Sequence, residues 1–275
     1  MKFATCMTLF LKERLCDDHF RQVREHGFDT VELCIYPGHF HGTDEEVVWL
    51  KKSLREHEIN VHSMHCSFDA LTGEHLDKTE QILHSNLRLL ADLGGRYLVV
   101  HYAIFADPDD LIVDEKGKRY PGFSVARALK RGPEMLERIK EGMASYAEYA
   151  RRHGVAVALE TDLQNSERLI EFISDADPSA CGICFDSGHA QVNSDAAQLA
   201  RLLGPRVIGT HLHDNDGKED QHKPPFSGTI DWQGVLAGLK AGGYAGPLTY
   251  ETLTGSLSDI TVLNDRLSRL WEDAC

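Results

Sequence analysis

The most restrictive feature of this chain is a rhythm. Short, almost wholly apolar runs alternate with longer amphipathic stretches, eight times from end to end. The runs predicted as strands are 2–6, 30–33, 59–65, 97–101, 155–160, 181–186, 207–211 and 247–251, with helices over 17–26, 43–56, 77–93, 133–153, 165–174, 195–203, 231–241 and 257–271. Local punctuation agrees: Thr43 with Glu46 three residues on makes a capping box. Pro133 suits a first helical turn, and Gly27 and the Gly94-Gly95 pair stop the helices before them. Strands that are apolar throughout are buried on both faces, the condition of a parallel sheet covered by helices. Eight strand-helix units in 275 residues therefore predict an α/β fold, a closed (β/α)8 TIM barrel. An open doubly wound sheet is the alternative, but no G-x-G-x-x-G follows the first run. Residues 1–275 contain no linker, so a single domain is expected, with 105–132 as an insertion after the fourth strand. Its mixed charges (Asp107, Asp109, Asp110, Lys116, Lys118, Arg119, beside Tyr120) suit a lid or subunit contact, which leaves a homo-oligomer open.

Charge and composition exclude several classes. Lys plus Arg is 29 against 43 Asp plus Glu, a formal charge of −14, which disfavours a nucleic-acid partner or an anionic membrane surface. No apolar stretch approaches the ~20 residues of a membrane span, and 1–12 lacks a basic, apolar and cleavage-site sequence, so the expected location is cytoplasmic. The seven cysteines are odd in number and scattered, which reads as reduced thiols. Cys181 and Cys184 fall on opposite faces of a strand, as packing residues. The "DNDG" at 214–217 lacks the remaining ligand spacing of a calcium loop and reads as a solvated turn. The unusual count is fifteen histidines.

In a barrel of this kind the loops after the strands meet at one rim, where reactive groups collect. His39, His41, His62, His65, His101, His189, His211, His213 and His222 are assigned there, with Glu160, Asp186 and Glu251. The other six histidines, at 19, 26, 57, 75, 84 and 153, fall in predicted helices as solvated residues. A carboxylate directly after "VAVAL" or "PLTY" points into a water-poor mouth and needs a cation. Arg and Lys are scarce at these strand ends, so a metal is the expected partner of Glu160, Asp186, His211 and Glu251. Mixed imidazole and carboxylate donors suit one divalent ion such as Mn2+, Co2+, Mg2+ or Zn2+.

At these residues the chain resembles the xylose isomerase-like barrel superfamily, which includes sugar isomerases and epimerases, inosose dehydratases, hydroxypyruvate isomerases and the abasic-site nuclease endonuclease IV. The carrying segments are "ALET" around Glu160, "CFDSGHA" at 184–190, "THLHDNDGKEDQHKPPFSGTIDW" at 210–232 and "GYAGPLTYET" at 243–252. The resemblance implies that Glu160, Asp186, His211 and Glu251 form the common metal site, with His189 as a neighbouring or substrate contact. Endonuclease IV holds three zincs at the same rim, and His65, His101, His189, Asp220 and His222 are the candidates for further ligands here. Against that alternative, "TDLQNS", "SGH" and "FSG" stand where the nuclease has other motifs. The loops also lack cations for a duplex: 36–46 has no Lys or Arg, and 67–80 has only Lys78.

The resulting expectation is a metal-dependent sugar isomerase or epimerase acting on a ketose or sugar phosphate through an enediolate. Glu160 and Glu251 form the acid/base pair. His189, His65, His101, His213 and Lys223 are the substrate contacts, and Phe68, Phe105, Trp232 and Cys66 are read first as packing. The alternatives are a three-zinc phosphodiesterase for abasic DNA, a keto-polyol dehydratase and, last, a non-catalytic sugar binder.

Overall fold

The computed structural model describes residues 1–36, 38–66, 78–113, 119–121, 123–192 and 194–274. Phe68, His75, Lys116, Lys118 and Cys275 lie outside the described residues. The elements run β1 (Phe3–Cys6), α1 (Asp17–Glu25), β2 (Thr30–Ile35), α2 (Asp44–Glu56), β3 (Asn60–Cys66), α3 (Thr79–Asp92), β4 (Tyr97–Val100), β5 (Leu111–Val113), β6 (Arg119–Pro121) and α4 (Val125–Lys130). There follow α5 (Pro133–Arg152), β7 (Ala156–Glu160), α6 (Leu169–Phe172), β8 (Cys181–Asp186), α7 (Ser187–Gln191), α8 (Ala196–Leu203), β9 (Val207–His211), α9 (Trp232–Ala241), β10 (Leu248–Tyr250), α10 (Leu257–Thr261) and α11 (Asn264–Asp273).

Eight strands form one parallel sheet in the order β10-β1-β2-β3-β4-β7-β8-β9. Its two edges meet through a parallel bridge between Leu212 and Tyr250, with Leu212 N–H donating to Thr249 O at 2.7 Å, so the sheet closes into the expected (β/α)8 barrel. The capping box at Thr43 and Glu46 forms. The predicted helix over 165–174 is instead a single 3-10 turn (Ser166–Arg168) running into the short α6, and that over 257–271 is two helices. Among the described residues, no helix is long and apolar enough to cross a membrane.

Alternation along each strand produces two separate interiors. One parity packs outward under the helices. The other fills the barrel, where Tyr97, Val99, Ala158 and Cys184 make a small inner cluster while Cys181 joins the outer core. Gly209 makes room for the inner tyrosine, because a Cβ there would lie 2.5 Å from Tyr97 Cζ. Two residues further along the same inward parity stand His101, Glu160, Asp186 and His211. The strands' own period thus carries these side chains one layer above the apolar floor.

Between β4 and α5 lie the antiparallel strand pair β5-β6 and then α4, capped by Ser124. Asp107 bridges Arg131 and Arg138, Asp110 pairs with Arg131, and Asp162 accepts from Val125 N at 3.0 Å, which fastens the segment to α5 and to the loop after β7.

Candidate metal centre and active site

Glu160, Asp186 and His211 end β7, β8 and β9, and Glu251 follows β10; all four are buried. Asp186 and His211 face each other in register on β8 and β9, Glu160 stands opposite Cys184 two residues below Asp186, and one donor atom from each of the four lies within 4.8 Å of the others. His211 Nδ1 is the hub, 2.9 Å from Glu160 Oε1, 3.2 Å from Glu251 Oε2 and 3.8 Å from Asp186 Oδ2. Three carboxylates and one imidazole at this spacing fit a divalent ion of the moderately hard class.

Backbone contacts hold the donors in place. Thr161 Oγ1 accepts from Asp186 N at 2.8 Å and donates to Asp186 O. Asp186 in turn N-caps α7 through His189 N, and its carboxylate receives His213 Nε2 at 2.8 Å. His213 fits only because residue 188 is glycine: a Cβ there would stand 1.9 Å from His213 Cε1.

Three further donor groups adjoin the first, one of them Cys6, Glu32 and Glu251. His65 and His101 Nε2 lie 3.2 and 3.1 Å from Glu160 Oε2 and 3.2 Å from each other. Burial alone would lower both imidazole pKa values; Glu160 and Glu251 overturn this at His65, raising it to about 9, whereas His101 falls to about 3. On the other side His189, His213, Asp220 and His222 cluster. His189 Nδ1 donates to Thr161 O at 2.9 Å and His222 Nδ1 to Glu251 O at 3.0 Å, which turns both Nε2 atoms toward Asp220, at 3.3 and 3.0 Å. Burial works against the charge on Asp220, yet those two imidazoles hold its carboxyl far below the usual range, and His222 rises to about 9.

A cavity of about 210 Å3 opens beside these donors, lined by the polar His101, Thr161, Asp162, His189 and Asp220 and by Tyr102, Phe123 and Leu163. Lys223 is not in that lining; it pairs through its backbone with Asp214. Phe105, Trp232 and Cys66 are buried packing residues.

Several sequence expectations need correction. His62 is not at the rim: it lies near the start of β3, where a register shift opposite Val31 and Glu32 sets it edge-on to Tyr97 and bonds its carbonyl to Arg96 N. His39 does follow β2 as expected, but it is buried with its ring on Glu13 O and belongs to none of the donor groups. His19 is not solvated but buried, stacked on Phe10 at 4.4 Å, because it occupies the inner face of the first turn of α1. Nor is the "DNDG" a solvated turn: Asp214 is fully buried and accepts Trp232 Nε1–H at 2.9 Å. The residue that sequence reasoning missed is Glu32, fully buried within β2 and 2.8 Å from His211 Nε2. A charge inside the apolar "TVELCI" was the signal for it.

With eight parallel strands, a closed rim and this donor set in place, comparison with known proteins defines the class. The chain matches the Xylose isomerase-like TIM barrel family over residues 20–270 and belongs to it. It is 25% identical over 264 residues to the 3-dehydro-D-guloside 4-epimerase of Escherichia coli K12, covering 91% of this chain and 92% of that one. The crystal structure of a D-tagatose 3-epimerase-like protein superposes with a TM-score of 0.77 at 23% identity over the whole of both chains. A Xylose isomerase-like TIM barrel protein from Mycobacterium smegmatis in complex with magnesium gives 0.73 at 17% identity, covering 99% and 97%.

Proposed function

We propose that this protein is a divalent-metal-dependent sugar isomerase or epimerase acting on a ketose, a sugar phosphate or a related keto-polyol. The observation that carries the reading is the buried set Glu160, Asp186, His211 and Glu251, two of whose members are glutamates reaching one centre from different strands. The epimerase names of the Escherichia coli relative and of the tagatose epimerase-like structure, and the magnesium in the mycobacterial one, support it.

A divalent ion held by those four residues would polarise adjacent carbonyl and hydroxyl oxygens of the sugar and acidify the C–H between them. Glu160 or Glu251 would take the carbon-bound proton, and the other, in its carboxylic acid form, would deliver a second proton to the opposite face of the same carbon for epimerisation; for isomerisation the proton would go to the neighbouring carbon while another passes between the two oxygens. His189, with Nδ1 tied to Thr161 O, presents Nε2 beside the cavity to orient a hydroxyl. The apolar lining residues Tyr102, Phe123 and Leu163 suit contact with the C–H groups of a sugar. The test is a screen of ketoses, keto-polyols and hydroxypyruvate in D2O with Mn2+, Co2+, Mg2+ or Zn2+. Deuterium entering the substrate carbon supports the reading; an absence of exchange across the panel refutes it. Loss of water from a keto-polyol would mark the dehydratase branch.

A second reading rests on a separate observation. The group His65, His101 and Glu160 and the group His189, Asp220 and His222 flank the central four, and His189 and His222 each have Nδ1 bonded to a backbone carbonyl, the arrangement that frees Nε2 for a metal. That is the donor count of a three-zinc phosphodiesterase. The acidic charge of the chain favours the sugar enzyme. Metal analysis separates the two, since close to three zincs with cleavage of an abasic duplex would establish the nuclease.

A further inference from the structure

We propose that Glu32 is a positioning residue for the metal centre: its carboxylate holds the Nε2–H of His211 and thereby fixes Nδ1 as the atom that faces Glu160, Asp186 and Glu251. The inference rests on the metal-binding reading above and deepens it. Glu32 lies on β2 at the Nε2 end of the His211 ring, with a carboxylate oxygen within 4.8 Å of one of Glu251, and is fully buried. Its oxygens receive three donors: His211 Nε2 at 2.8 Å and Cys6 Sγ at 3.2 Å on Oε1, and Ser63 Oγ at 2.7 Å on Oε2. No Lys or Arg pairs with it among the described residues, so the imidazole is the cationic or strongly polar partner that offsets its burial.

The consequence follows from imidazole chemistry. A ring ligating through Nδ1 keeps its proton on Nε2, and a carboxylate accepting that proton fixes the tautomer, locks the ring plane and raises the basicity of Nδ1. His211 needs this more than its neighbours. His189 and His222 are held by neutral backbone carbonyls, whereas His211 Nδ1 stands 2.9 Å from Glu160 and 3.2 Å from Glu251, either of which would accept the proton in the other tautomer of the same ring pose. Ser63 and Cys6 complete the arrangement by fixing Glu32 itself from β3 and β1. Glu32→Gln keeps the shape of the side chain but offers one acceptor oxygen and one amide, so either His211 or Ser63 meets a donor instead of an acceptor.

The experiment titrates wild type and Glu32→Gln with Co2+, read by competition with a chromophoric chelator and by the visible Co2+ absorption, with thermal unfolding of the metal-free proteins alongside. The expected result is a 10- to 100-fold weaker affinity in Glu32→Gln, with an altered Co2+ spectrum and a metal-free protein that still unfolds cooperatively. Equal affinity and spectrum in the two proteins would overturn the positioning role while leaving the metal reading intact. Failure of the wild type to bind Co2+ would overturn both. A second measurement needs no variant: long-range 1H–15N correlation on the Zn2+-loaded wild type should show His211 protonated at Nε2 and ligated at Nδ1. The opposite assignment would refute the proposal even if Glu32→Gln does not fold.

Discussion

Gly188→Ala should disturb the centre through a single steric contact whose size is fixed by geometry. The added Cβ would sit 1.9 Å from His213 Cε1 and 2.3 Å from Nδ1, while ordinary contact begins at 3.4 Å, so the ring must move by about 1.5 Å. It cannot do so freely: the ring is fully buried, stacked on His222 with centroids 3.8 Å apart, and bonded to Asp186 at 2.8 Å. A shift of that size breaks the hydrogen bond to the carboxylate, a loss of about 1.5–3 kcal/mol. Overpacking adds about 1–3 kcal/mol, and the alanine returns about 0.5–1 kcal/mol of helix propensity in α7. The net expectation is a destabilisation of about 2–5 kcal/mol, measured by urea unfolding. His213→Ala removes the obstacle, so the double variant should be more stable than the sum of the single effects predicts, by about 2 kcal/mol. Additivity within about 0.5 kcal/mol would refute the argument, because it would mean that Gly188 and His213 do not share the space.

Glu160→Gln removes the carboxylate that touches His211, His65 and His101, and under the proposed mechanism it should lower turnover by about 10^2–10^4 once a substrate is in hand; near-normal turnover would exclude Glu160 as acid or base. Glu46 gives a pH-dependent prediction far from the centre. Burial alone would raise its pKa, but the N–H groups of Thr43 and His41 outweigh this and hold the carboxyl below its ordinary value. A group depressed in the folded state stabilises fully above the unfolded carboxylate pKa of about 4.3 and loses that contribution as pH falls through the folded value. Glu46→Gln keeps the capping acceptor but not the charge, so it should cost about 0.3–1 kcal/mol at pH 7, a difference that shrinks as pH falls through the depressed titration of Glu46. A difference in urea stability that does not change with pH would contradict this.

The barrel and most of its centre were legible because both depend on strand periodicity. An apolar strand that ends in an acid or imidazole presents that residue one layer above the inner core, which is how Glu160, Asp186 and His211 could be placed without coordinates. Depth inside the barrel was not legible, since it depends on the register between strands. Glu32 lies in the middle of its strand yet reaches His211, whereas His62 belongs to the neighbouring strand but lies too near its start, and the register shift between these strands separates them. The burial of Asp214 was hidden for another reason: its loop folds back so that Trp232 and Ile230 donate to its carboxylate, a contact across 16 to 18 residues that turn chemistry does not announce. Glycine carried information that composition could not reveal, because positions 188 and 209 matter for the rings they admit.

The cluster also explains why so many histidines accompany so few basic side chains at the rim. Glu32, Glu160, Asp186, Asp220 and Glu251 crowd one end of the barrel, and every ion pair that the described residues offer them comes from an imidazole. An imidazole can give up its proton when a metal arrives, whereas a guanidinium cannot, so this choice keeps the carboxylates available as ligands.

Metal stoichiometry tests the account most directly. Equilibrium dialysis of the purified chain against Mn2+ or Zn2+, followed by elemental analysis, should find one tightly held ion per chain, lost on His211→Ala while the variant stays folded. No tight ion, or one that His211→Ala leaves undiminished, would contradict the assignment of Glu160, Asp186, His211 and Glu251 as the centre.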